Sequence, residues 1–139
     1  MNITTKIVFS TTLSVLITGC NQSDDESTTY LSFEESFQTQ LIEAEPGSII
    51  EVPAGTHHFA RSLSLNVPGV TIRGVGMDQS ILSFSDQAQG AEGLLVTAND
   101  FVIEDLAIED TVGDALKINE SVNVTIRRVR TEWTNGPSP

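Results

Sequence analysis

An all-β solenoid, with short parallel strands wound about one axis behind a single N-terminal helix, is the fold class this sequence predicts. Three observations point there. One apolar pattern returns three times, from Leu63, Leu94 and Leu116, as "LSLNVPGVTIRGV", "LLVTANDFVIEDL" and "LKINESVNVTIRRV". Helical periodicity is confined to one stretch, residues 31–44. After residue 47 short β-rich runs such as "SIIEV", "SLSL", "ILSF" and "FVI" alternate with Gly, Pro, Asn and Asp.

The N-terminal segment, residues 1–19, has one positive charge, Lys6, then an uncharged apolar run ending in Thr18 and Gly19 before Cys20. That is the layout of a secretory signal, and the run is too short to span a bilayer as a helix. Ile17-Thr18-Gly19-Cys20 resembles the bacterial lipobox, in which the signal is cut before the Cys and the Cys is acylated. A plain signal peptide with an incidental Cys is the alternative. The resemblance implies a bacterial membrane as partner through a lipid anchor at Cys20. Asn21, where an Asp would favour retention in the inner membrane, points to the outer membrane of a bacterial envelope. Cys20 is the one cysteine, so no intrachain disulfide can form.

Residues 20–30 contain the polar, acidic stretch "SDDESTT" and read as a flexible tether. Residues 31–47 follow as a capping helix. Phe33, Phe37, Leu41 and Ala44 fall on one face, Ser32 with Glu35 fits a capping box, and Pro46-Gly47 ends the element. A lone amphipathic helix must lay its apolar face on something. The open end of a solenoid offers such a place.

Residues 48–139 read as about four rungs. The pattern starts lie thirty-one and then twenty-two residues apart. The excess of nine equals the polar stretch "SDQAQGAEG" at residues 85–93, which reads as a loop inserted in one rung. The inward sets are Leu63, Leu65, Val70, Ile72 and Val75; then Leu94, Val96, Phe101, Ile103 and Leu106; then Leu116, Ile118, Val124, Ile126 and Val129. Gly69, Asp100 and Asn123 precede the second strand of each unit, and all three types tolerate a left-handed turn. A unit of this size cannot close a core alone. Stacked units can, each strand pairing with its counterpart one rung away at about 4.8 Å.

Together "GSIIEVPAGTHHF", "GVTIRGVGMDQSILSF" and "DALKINESVNVTIRRVRTEWTNGPSP" resemble right-handed parallel β-helix proteins, from about Phe37 onward. The wider superfamily includes pectate lyases, polygalacturonases, alginate lyases and mannuronan epimerases, and an accessory protein of nitrous oxide reductase. The resemblance implies binding, or lyase- or epimerase-type modification, of an acidic polysaccharide. The alternative is a non-catalytic surface or periplasmic scaffold or accessory protein. Members of the family have more rungs and a distal cap. The sequence therefore predicts the N-terminal part of a longer solenoid.

Candidate chemistry is sparse. The acidic cluster Glu104, Asp105, Glu109, Asp110 and Asp114 suggests calcium, with Asp110 and Asp114 as candidate ligands, because lyases of this kind hold Ca2+ with carboxylates. The plainer reading places Glu104 between Arg73 and Arg127 in a ladder of alternating charge, with the aspartates at turns. Arg127, Arg128, Arg130 and Trp133 form the candidate ligand surface: guanidinium groups for sugar carboxylates and an indole for stacking. The plainer reading pairs these arginines with Glu104, Asp105 and Glu132. His57 and His58 point to opposite sides of a strand and do not make a metal pair.

Composition excludes other classes. Nineteen Asp and Glu face seven Lys and Arg, which argues against nucleic acid as a partner. There is no phosphate-binding loop, dinucleotide glycine motif, zinc spacing or nucleophile elbow.

Overall fold

The structure is a computed structural model that describes residues 31–135. The signal, the lipobox with Cys20, and the tether lie outside the described residues. One helix, α1 (Phe33–Ile42), precedes nine strands. These are β1 (Ile49–Glu51), β2 (Gly55–His58), β3 (Arg61–Leu65), β4 (Thr71–Arg73), β5 (Ser80–Ser83), β6 (Gln89–Val96), β7 (Val102–Glu109), β8 (Leu116–Ile118) and β9 (Thr125–Glu132).

Every strand pairing is parallel. The pairings sort into three faces of a solenoid. The first stacks β1, β4 and the starts of β7 and β9. The second stacks β2, β5 and the ends of β7 and β9. The third stacks β3, β6 and β8. The described chain thus makes three complete turns and the first two faces of a fourth.

The sequence repeat is the structural repeat. Leu63 pairs with Leu94 and Leu94 with Leu116. Inside the first face Ile50, Ile72, Ile103 and Ile126 form one column. Inside the third, Leu65, Val96 and Ile118 form another. Phe59 and Phe84 stack one turn apart with ring centroids 5.2 Å apart. Such columns arise because a parallel pairing in register puts identical positions over one another, and each buried apolar side chain contributes about 1.5–3 kcal/mol.

A second column is conformational. Gly47, Gly69, Asp100 and Asn123 all have left-handed backbones, with φ of 86°, 75°, 56° and 58°. Each opens the first face of its turn. The Asn123 amide donates to the Asp100 carboxylate at 2.6 Å, so the corner is stitched as well as bent. Asp105 and Arg128, with φ of 59° and 51°, are the bends that let β7 and β9 cross from the first face to the second without interruption.

One expectation needs correction. The nine extra residues are not all in residues 85–93. Eight positions separate Arg73 from Ile81, but only three separate their partners Glu104 and Ala107, so five extra residues lie in this corner. The other four precede Leu94, where β6 bulges against β3. The longer corner carries Val75 out of the inward set, and Val75 is 57% exposed. Gly74 begins that corner, and a Cβ there would collide with the Asp105 carbonyl below it. In the third inward set Leu116, Ile118, Val124 and Val129 are half-buried and Ile126 is exposed. They point inward as expected, but among the described residues no strand lies beyond β8 and β9.

The other end is closed by α1. The Ser32 hydroxyl accepts from the Glu35 amide, and the Glu35 carboxylate accepts from the Ser32 amide at 3.1 Å, completing the capping box. Phe37 and Leu41 are fully buried, and Phe33 and Ala44 pack beside them. Phe33 also stacks on His57 at 3.9 Å.

Replacing Ile103 with Asp removes a fully buried side chain from the middle of the isoleucine column and puts a carboxylate there without a partner. The expected cost is about 4 kcal/mol or more, read as loss of the cooperative thermal transition. A native melt would contradict the column.

Candidate functional site: an inter-turn charge ladder

Along the outer side of the first face, parallel register puts Glu51, Arg73, Glu104 and Arg127 in one line. The sign alternates at every step. Glu104 is almost wholly buried between its neighbours, 1% exposed. Arg73 Nε donates to its Oε1 at 2.6 Å, and Arg127 Nε donates to its Oε2. One position on, Arg128 grips Asp105 through two bonds of 2.5 and 2.7 Å. The corner bend that the two residues share places them one above the other.

On the second face Glu109 stacks on Glu132 in register, a like-charge pair. Arg130 lies between them, donating to Glu109 at 2.7 Å and to Glu132. It also lies 3.5 Å from Asp78 in the long corner above. Across the third face Lys117 reaches Glu92 at 2.7 Å.

The arginines of the sequence-predicted ligand surface are therefore engaged within the chain. Arg127, Arg128 and Arg130 adjoin one another, and each pairs with a carboxylate one turn back. Sequence reasoning found the Glu104 and Asp105 partners. It missed Glu109, which the offset of twenty-three residues between β7 and β9 would have placed over Glu132. Trp133 follows three positions after Arg130. It lines a shallow depression of about 390 Å³ with Thr111, Val112, Gly113, Ala115, Thr131 and Glu132, and its indole N–H has no partner.

Asp110 and Asp114, the candidate calcium ligands, have different surroundings. Asp110 is buried and spends both oxygens on the chain: Thr134 N donates to Oδ1 at 2.5 Å, Asn135 N to the same oxygen at 3.2 Å, and Thr134 Oγ1 to Oδ2 at 2.7 Å. Asp114 is exposed. Ca2+ takes six to eight oxygen ligands, and among the described residues no group of three or more His, Cys, Asp or Glu could hold a metal. His57 and His58 take separate roles. His57 stacks on Phe33 and contacts the Pro53 carbonyl at 3.0 Å, whereas His58 faces Asp86 at 3.5 Å on the surface.

No family model matches the chain, and neither a curated protein nor a solved structure does. The class that the fold and this site define is a parallel β-solenoid whose turns are tied together on the outside by ion pairs.

The pairing acts on the carboxyls. The hydrogen bond from Arg127, then that from Arg73, holds Glu104 below its ordinary value, and Arg128 does the same to Asp105. A carboxyl whose folded-state pKa is depressed adds stability that is complete above its unfolded pKa and lost as pH falls through the folded one. The wild type should therefore lose stability on acidification from the ordinary carboxylate range downward. Glu104→Gln should be less stable at neutral pH and show a shallower acid limb in melting temperature against pH. Parallel acid limbs would mean that the ladder adds nothing.

Proposed function

We propose that the chain is a lipid-anchored envelope scaffold, a right-handed parallel β-helix that acts through its shape rather than by catalysis. One observation carries this reading: all six Arg and Lys side chains of the described residues have carboxylate partners within the protein. Those pairs cross from turn to turn, or from α1 to the first turn, so the polar chemistry of the surface serves cohesion. The signal-like start, Ile17-Thr18-Gly19-Cys20 and the acidic tether supply the anchoring half of the proposal.

A specific observation favours a second reading, contact with an acidic polysaccharide. The Arg127 and Arg128 side chains remain 53% exposed while paired. An incoming uronate would share the outer guanidinium nitrogens with Glu104 and Asp105. This would be adhesion along the outer ladder, without an acid–base pair.

Two measurements test these readings. Cys20→Ser should move the protein from the membrane pellet to the soluble fraction of the cells that make it. Continued retention would remove the anchor. Purified protein incubated with pectate or alginate should release no unsaturated uronate and leave epimer composition unchanged. Turnover that survived dilution and disappeared with Arg128→Ala would replace the scaffold by an enzyme.

A further inference from the structure

Residues 85–92 carry the second turn around its corner from the second face to the third. They bring no apolar side chain larger than alanine, and Ala88 and Ala91 are both exposed. The residues that anchor the stretch are core: Phe84 before it is 1% exposed and Leu94 beyond it 0%. The stretch is thus fixed at both ends, and what holds it between them is polar.

Much of that hold passes through one half-buried side chain, Gln87. Its amide nitrogen donates to the Ser62 hydroxyl at 3.2 Å and to the Glu92 carbonyl at 2.8 Å, and its oxygen accepts from the Val112 amide at 3.0 Å. Ser62 lies in the first turn, Gln87 in the second and Val112 in the third, so one amide group joins three turns. Backbone bonds lie on either side of it. The Ala88 and Gln89 amides donate to the Ala60 carbonyl of the first turn at 2.8 and 3.1 Å, and the Gly113 amide of the third donates to the Ala91 carbonyl at 2.7 Å. Gly90 seats the stretch against the first turn. Its φ is 79°, and a Cβ there would meet Ser62 Oγ at 2.0 Å.

Releasing this stretch breaks hydrogen bonds that water can replace and returns backbone freedom. No apolar side chain leaves the core. Unfolding a turn, by contrast, empties the isoleucine and leucine columns. The two events therefore have separate free energies.

We propose that residues 85–92 are a strap on the flank of the solenoid, which opens and closes as one unit while the turns stay folded, and that Gln87 is its latch. Opening bares the Ala60 carbonyl and the Ser62 hydroxyl on the first turn and the Val112 and Gly113 amides on the third. The proposal does not depend on the envelope reading.

Native-state hydrogen exchange of the full chain tests it. The reporters are the Ala88 and Gly113 amides, which bond to backbone carbonyls on opposite sides of the strap, and the controls are the Phe84 and Val102 amides, which bond between strands. In the wild type both reporters should exchange through one opening, faster than the controls. Gln87→Ala should speed both by about tenfold and leave the controls unchanged. Gly90→Ala keeps the latch but prevents its seating on Ser62, and should have the same effect. Should that variant unfold the chain, Gln87→Ala, which alters no backbone, decides alone. Reporters that exchange only together with Phe84 in the wild type overturn the proposal, because no separate opening then exists. An acceleration confined to Val112 overturns it too, since Gln87 would then be a single bond. So does a response of Ala88 without Gly113, which would mean that the strap is not one unit.

Discussion

Everything in this molecule depends on the need of each strand for a partner on both edges. A turn of the solenoid has no closed sheet of its own, and its amide and carbonyl groups are satisfied only by the turns above and below. From that need follows strict register, and from register follow the columns. Isoleucine lies on isoleucine, leucine on leucine, and a left-handed corner on a left-handed corner. The charge ladder is the same rule applied to the outer side. Like residues repeated there would repel, so the sign alternates, and where it does not, at Glu109 and Glu132, Arg130 is inserted. The ends are where the rule fails locally. One is met by α1, whose glutamine and glutamate stand in for a missing strand.

Much of this could be read from the amino-acid order because register is a sequence property. The starts at Leu63, Leu94 and Leu116 pair as their spacing implies, and Gly69, Asp100 and Asn123 take the backbone their side chains permit. The capping box at Ser32 and Glu35 was equally plain. Corner length was not. Val75 carries the right residue type at the right offset, yet the extra residues after Gly74 turn it to solvent. An apolar pattern states which residues want the inside but not where a loop begins.

The candidate site divides the same way. The Glu104 partners followed from counting one repeat in each direction. Asp110 did not: its left-handed backbone is what a turn aspartate suggests, but its use of both oxygens on Thr134 and Asn135 is a contact between neighbouring turns that no local motif announces. Acidic residues in such a fold are better read first as backbone acceptors or ladder members, and as ligands only when oxygens are left over.

The corners have a consequence for how the chain can change. Strand pairing stacks the turns, and a corner of different length leaves that pairing in place. The second turn carries nine residues more than its neighbour, and the pairing on all three faces resumes without loss. The corner after Gly74 is therefore a place where foreign sequence can enter. A short epitope or recognition loop grafted there would project sideways, leaving both ends of the stack untouched.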